Sequence, residues 1–303
     1  MNILTVSDWT HTTEGEPRGY IDPQALKELW FHTGTACNLA CPFCLEGSKP
    51  GDDRLNRISL EDVQGYMDEA VELGVGQFSF TGGEPFVVKD LGRILKYAAD
   101  RKPCLVLTNG TDAVINRRST LESLQDTKHP ISFRVSIDYP NAKEHDEGRG
   151  EGNYELAWQG MVLLQSLGFH VSLARQAKKD EHADEVDAEY RRLFEHYGLA
   201  PDTTIVAFPD FLTPFSSAEV PEITENCMTQ FQTEAQRDNY MCAFSKMIVK
   251  EDGKMRIYAC TLVDDDSRYG FEGTLKESLN QRILLGHHRC FSCFSCGASC
   301  SEL

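Results

Sequence analysis

The chain has 303 residues, 41% hydrophobic and 25% charged, enough for one large α/β domain plus a smaller module. Its formal net charge of -17 argues against nucleic acid and anionic membranes as partners, because phosphate binding needs clustered Lys and Arg. The opening MNILTVSDWT lacks the basic start and apolar run of a signal peptide, and no stretch approaches the roughly 18 apolar residues of a membrane span, so a cytoplasmic protein is expected.

Residues 1–26 read as an N-terminal extension, and from 27 to 209 the pattern alternates. LKELWFHTG reads as a strand. SLEDVQGYMDEAVELG reads as a helix, with Leu60, Val63, Met67, Ala70 and Val71 at helical spacing, Ser59 and Asp62 as a capping box and Gly74 as the stop. VGQFSF is a strand, DLGRILKYAADRK a helix, PCLVLTN a strand and NRRSTLESLQDT helical. SFRVSID is a strand, NYELAWQGMVLLQSLG an apolar helix, FHVSLARQA a strand, DEVDAEYRRLFEHYG a helix and TTIVAFP a last strand. These six β/α steps imply a parallel sheet with right-handed crossovers, an α/β fold in the form of a partial (β/α)6 TIM-like barrel. Residues 210–241 are polar and irregular and read as a connector. In the final part, 242–303, MIVKEDGKMRIYAC carries a hairpin signal at Asp252-Gly253, and the tail RCFSCFSCGASC reads as cysteine-dense and nearly helix-free.

Eleven cysteines is a high number for a reducing compartment, and most fall in two groups, 37–44 and 242–300. Disulfide scaffolds are usually short secreted chains, so metal or cluster binding is the better reading. Cys104, inside PCLVLTNG, reads as a small buried hydrophobe, and Cys227 has no assigned role.

The unusual polar residues gather where strands end, the rim on which β/α barrels carry chemistry. Cys37, Cys41 and Cys44 follow the first strand, Thr81 to Pro85 (TGGEP) the second, and Thr108-Asn109-Gly110 the third. Ser136 and Asp138 end the fourth. In CNLACPFC three thiolates from one short loop would leave a fourth iron of a cubane open to a small-molecule ligand. A zinc knuckle, or a cluster closed by a distant cysteine, is the structural alternative.

With these residues in place, the sequence resembles the radical S-adenosylmethionine (radical SAM) superfamily. CNLACPFC matches its CxxxCxΦC signature, with Phe43 as the aromatic, and TGGEP matches its second motif. The resemblance covers roughly residues 27–209. It implies that Cys37, Cys41 and Cys44 bind a [4Fe–4S] cluster with one open iron site, occupied by the amino and carboxylate groups of S-adenosylmethionine. Gly82 and Gly83 allow close backbone approach to a ligand, and their carbonyls, with Glu84 nearby, would accept from its ammonium group. Glu84 anchoring its own loop is the alternative. Phe43 would pack near the adenine. Asn109, Ser136 and Asp138 would complete the cofactor-binding set. Arg149, in HDEGRG, resembles an HDxxRG segment of peptide- and sulfatase-modifying members and would meet the cofactor carboxylate or hold a loop. The implied chemistry is reductive cleavage of S-adenosylmethionine to a 5′-deoxyadenosyl radical, which takes hydrogen from a substrate C–H bond. Reduced flavodoxin or ferredoxin would be the electron donor.

The second cysteine group resembles the auxiliary-cluster modules of the same superfamily, SPASM and its shortened form, twitch. Seventeen residues separate Cys242 from Cys260, Gly253 stands seven before Cys260 instead of five, and the ending CxxCxxCxxxC is tighter than the SPASM pattern. At least one auxiliary [4Fe–4S] cluster is implied, with Cys242, Cys260, Cys290 and Cys293 as ligands and Cys296 and Cys300 as further candidates. A zinc ribbon is the alternative. Asp264 and Asp266, in the acidic run after Cys260, are weak catalytic candidates as proton acceptors, against the usual reading of such runs as solvated. His287 and His288 read as an exposed pair. Sulfatase-maturing relatives carry an Asp directly after the equivalent cysteine, where this chain has Thr261. The substrate is expected to be a peptide modified by a maturase-type enzyme or a small molecule such as an amino sugar or alcohol dehydrogenated by a twitch-type enzyme. A cluster- or zinc-binding protein without catalysis is disfavoured by the GGEP loop.

Overall fold

The computed structural model of the chain describes residues 9–297 and 301. β1 (Tyr20–Ile21) stands apart from the main sheet. The six strands expected from the sequence follow: β2 (Glu28–His32), β3 (Gln77–Thr81), β4 (Cys104–Thr108), β5 (Ile131–Ser136), β6 (His170–Gln176) and β7 (Thr204–Phe208). They pair in chain order, every neighbour parallel. β2 is buried at all five residues, as expected for a parallel strand covered on both faces.

Helices between the strands cover the sheet with apolar stripes. Leu60–Glu72 starts on the Ser59/Asp62 capping box and buries Val63, Met67 and Ala70, spaced four and three residues apart. Leu91–Ala99 buries Leu91, Ile94, Leu95 and Ala98, and Asn153–Ser166 buries Ala157, Trp158, Met161 and Leu164. These residues form one core with Phe31, Phe78, Phe80 and Phe133. A second core gathers Trp30, Leu105, Met247 and Val249 with Cys242 and Cys260. None of the helices among the described residues is long and apolar enough to cross a membrane.

The last third departs from the expectations. β8 (Ser245–Glu251) and β9 (Lys254–Tyr258) form the hairpin over Asp252 and Gly253, both at positive φ. This hairpin joins the main sheet: β8 runs parallel to β2, with Lys246 opposite Leu29, and covers what would be an open buried edge. β10 (Gly270–Phe271) extends β9, and β11 (Ile283–Leu284) pairs with β1. The expected connector holds two short helices, Glu225–Gln230 and Glu234–Asp238. NRRSTLESLQDT contributes one five-residue helix, Arg118–Glu122, after a separate turn of helix at Asp112–Ile115. The tail is not helix-free: Cys290–Cys296 is a helix, ended by Gly297 at φ 64°. Its Cys290/Cys293 and Phe291/Phe294 pairs, three apart, pack on the second core.

Candidate functional site

The TGGEP segment continues the β2/β3 pairing past the strand ends. Thr33 N–H donates to the Thr81 carbonyl (2.8 Å), Gly83 N–H to Gly34 (2.9 Å) and Glu84 N–H to Ala36 (3.0 Å). The double glycine is dictated by this contact. A Cβ on Gly83 would lie 2.3 Å from the Ala36 oxygen, and one on Gly82 would lie 2.8 Å from the Gly34 oxygen, at a φ of 132°. The loop therefore grips residues 34–36, which lead directly into Cys37.

Cys37, Cys41 and Cys44 line a cavity of about 250 Å3. Thr81, Gly82, Gly83, Thr108, Asn109, Ser136, Gln176 and Phe208 share the wall, so each strand from β3 to β7 contributes its C-terminal end. Phe43, Asp138 and Arg149 complete the set named from the sequence. Glu84 is set behind the wall. Its buried carboxylate accepts from Phe86 N–H (3.0 Å), Asn109 N–H (2.8 Å) and the Thr108 hydroxyl (2.8 Å), which favours the loop-anchoring alternative. Burial raises its carboxyl to about 7, opposed by those hydrogen bonds.

The three thiols come from one loop and face one cavity. Burial raises Cys37 to about 12 and moves Cys41 and Cys44 the same way. The Leu39 N–H points at Cys37 Sγ (3.3 Å), and the Glu46 and Ser48 N–H groups serve Cys44, the donor pattern that stabilises ligating sulfur. The cavity wall carries these three cysteines among the described residues. Asn109 is held by Asn38 (2.9 Å) and Thr111, with its Nδ2 3.8 Å from Cys37 Sγ.

Asp138 and Arg149 form a bidentate ion pair, 2.5 and 2.9 Å. The Asp138 N–H donates to His145, whose burial lowers it to about 4 and keeps the ring neutral. Phe43 packs against this segment, with Gly148 leaving room for its ring and the Arg149 guanidinium 5.8 Å from its centroid. The sequence reading missed Arg134 and Arg175, wall residues from inside β5 and β6. The signal was an arginine inside a strand of a sheet covered on both faces. Arg175 pairs with Glu181 and Asp187.

Cys242, Cys260, Cys290 and Cys293 come together in the second core. The first two are buried, and Cys260 feels the other three electrostatically. Burial raises Cys290 to about 11 and Cys242 higher, with Cys290 and Cys293 adding to the shift of Cys242. Lys246 is fully buried beside this quartet. Burial lowers its ammonium to about 8, opposed by the Cys242 and Cys260 thiols. Cys296 closes the last helix, and Cys300 lies outside the described residues. Cys104 is buried at the start of β4, as expected, and Cys227 accepts from its helix-capping Thr224.

The acidic run is not solvated. Asp264 is buried and lies with His32 and Glu46 in a group whose ligand-type atoms are within 4.8 Å of one another, beside Arg54. Burial and Glu46 raise Asp264 to about 7, opposed by His32 and Arg54. Glu46 reaches the cavity wall, whereas Asp264 does not line it. Asp266 is engaged by Arg268 and does not line the cavity. His287 is not exposed: it pairs with Asp265 at 3.3 Å and stacks on His288.

The Radical SAM superfamily model matches residues 31–177. The antilisterial bacteriocin subtilosin biosynthesis protein AlbA of Bacillus subtilis is 34% identical over 46% of this chain and 30% of its own length. The mycofactocin maturase MftC of Mycolicibacterium smegmatis is 28% identical over 54% of this chain and 40% of its own. The chain thus spans less than half of the curated relatives it matches. SuiB of Streptococcus suis, solved with S-adenosylmethionine and with the precursor peptide SuiA, shares the fold at 15% identity. The TM-scores are 0.61 and 0.62, over 85% of this chain and 66% and 65% of SuiB. These matches liken residues 31–177 to the radical SAM superfamily, and the solved structures share the fold.

Proposed function

We propose that the chain is a radical SAM enzyme that modifies a peptide or protein by taking hydrogen from a C–H bond. One observation carries this reading: three thiols from a single loop face a cavity at the strand ends, and the loop is clamped by a double glycine that tolerates no Cβ. Cys37, Cys41 and Cys44 would hold a [4Fe–4S] cluster, and S-adenosylmethionine would take the open corner. Bound there, the pair supplies a reducing electron and a 5′-deoxyadenosyl radical.

The chain's own residues then have distinct tasks. Leu39, Glu46 and Ser48 direct N–H groups at ligand sulfur. The Gly82 and Gly83 backbone would border the cofactor's amino end, while Glu84 fixes that loop from behind through Asn109 and Phe86. Arg149, neutralised in part by Asp138, offers a cation for the cofactor carboxylate, and Phe43 gives the adenine an apolar wall. Ser136 and Asn109 supply polar edges. The partial (β/α)6 barrel over 27–209 and the module over 242–303 form one working unit in this reading. The module's quartet binds an auxiliary [4Fe–4S] cluster. Reduced flavodoxin or ferredoxin supplies electrons, and the protein works in the cytoplasm.

A peptide substrate is favoured by the relatives: AlbA and MftC carry bacteriocin-biosynthesis and maturase names, and SuiB is solved with a precursor peptide. The open corner is tested by electron paramagnetic resonance of the dithionite-reduced, iron-reconstituted protein. Added S-adenosylmethionine should change the signal of the first cluster. A spectrum indifferent to the cofactor would contradict the reading.

A further inference from the structure

Lysine is almost never fully buried without a partner, because an isolated ammonium in an apolar interior is costly. Lys246 is 0% exposed, on β8. Its Nζ donates to two carbonyls, Cys242 at 3.5 Å and Ser245 at 3.3 Å, both long contacts. Among the described residues no carboxylate forms an ion pair with it. The ionisable groups it faces are the Cys242 and Cys260 side chains. Those two share the second core with Cys290 and Cys293, whose thiols disfavour the ionisation of both. A buried cation with no carboxylate partner among the described residues thus lies beside two buried cysteines.

We infer that Lys246 is the counter-charge of the auxiliary cluster and sets its reduction potential. The inference rests on the auxiliary-cluster part of the function proposed above. A [4Fe–4S] cluster with four thiolates carries a net charge of −2 when oxidised and −3 after gaining one electron, with no proton needed. A fixed positive charge nearby stabilises the second state more than the first, so it raises the potential. Low dielectric around Lys246 strengthens the effect. Lys246 meets the proposed ligand Cys242 through its backbone carbonyl, so it is a positioning and tuning residue.

The test uses the full chain with Cys37, Cys41 and Cys44 all replaced by Ala, so that the auxiliary cluster is read alone. The cluster is reconstituted anaerobically and titrated with dithionite, with the reduced form followed by electron paramagnetic resonance. Lys246→Met and Lys246→Gln should lower the reduced-to-oxidised ratio at fixed potential at least tenfold, a shift of about 59 mV for one electron. Lys246→Arg should hold the parent potential. If both neutral variants fail to retain a cluster while Lys246→Arg retains it, the charge is needed even for assembly, which also supports the inference. An unchanged potential in a neutral variant overturns it, as does equal loss of cluster in Lys246→Arg. A parent protein that holds zinc or no iron instead refutes the auxiliary-cluster reading itself.

Discussion

Arg289 donates from Nη2 to the carbonyl of Leu45 at 3.4 Å, so the residue before Cys290 holds the residue after Cys44. The same guanidinium binds the carbonyls of Phe211 (3.0 Å), Leu212 (3.0 Å) and Leu262 (3.1 Å). Leu45 and Phe211 line the cavity, and Leu262 follows Cys260 by two positions. One buried side chain therefore ties both cysteine groups into a single frame. Arg289→Ala should strand several buried carbonyls and cost on the order of 3 kcal/mol. Arg289→Lys should recover only part, because a point charge cannot reproduce the planar fork. Thermal unfolding and iron content check both, and iron should fall at both cysteine groups.

Gly83→Ala should abolish S-adenosylmethionine cleavage while leaving the sheet folded. The added methyl meets backbone at 2.3 Å, which no rotamer change relieves, so the Cys37 segment must move. Circular dichroism should remain near wild type, with stability lower by about 1–3 kcal/mol. Full activity in this variant would mean that the clamp is dispensable.

Asp138→Asn should weaken binding of S-adenosylmethionine roughly tenfold. It breaks the bidentate pair that aims Arg149 into the cavity and leaves that guanidinium without its counter-charge. Arg149→Lys should weaken binding as well, through loss of the fork. Equilibrium binding of the cofactor to reconstituted protein measures both.

Asp265 predicts an acid-sensitive link between the C-terminal segments. Burial alone would raise its carboxyl, but His287, the Phe215 N–H and Arg289 hold it well below the usual carboxylate range. Its folded pKa is depressed, so its contribution is complete above the unfolded carboxylate pKa and is lost as pH falls from there toward the folded pKa. Wild type should lose stability below about pH 4 for this reason. Asp265→Asn should be less stable by about 2 kcal/mol at pH 7 and show a shallower acid limb in denaturant unfolding.

The legible parts of the sequence were those written locally. Most of the parallel strands are short runs closed by Gly, Pro or Asn, and the Ser59/Asp62 cap sits three residues apart in the chain. CNLACPFC and TGGEP declare themselves by spacing, and their meeting on one cavity follows from the strand order. What stayed hidden depends on distant partners. The anchoring bonds of Glu84 come partly from Thr108 and Asn109, on the next strand's loop. The pairing of β8 with β2 joins segments more than two hundred residues apart, and it also buries Lys246, an ordinary residue in the sequence. The acidic run at 264–266 looked solvated because its partners, Arg54, His287 and Arg268, are mostly remote. The tail helix is a single short one, stabilised by packing on the second core.

The most direct measurement is 5′-deoxyadenosine, quantified after anaerobic incubation of the reconstituted chain with S-adenosylmethionine and dithionite. The wild-type protein should form it, and the Cys37/Cys41/Cys44→Ala variant should form none while keeping about four irons in its C-terminal quartet. Absence of 5′-deoxyadenosine from wild-type protein shown to carry its iron, or equal amounts from the variant, would contradict the account.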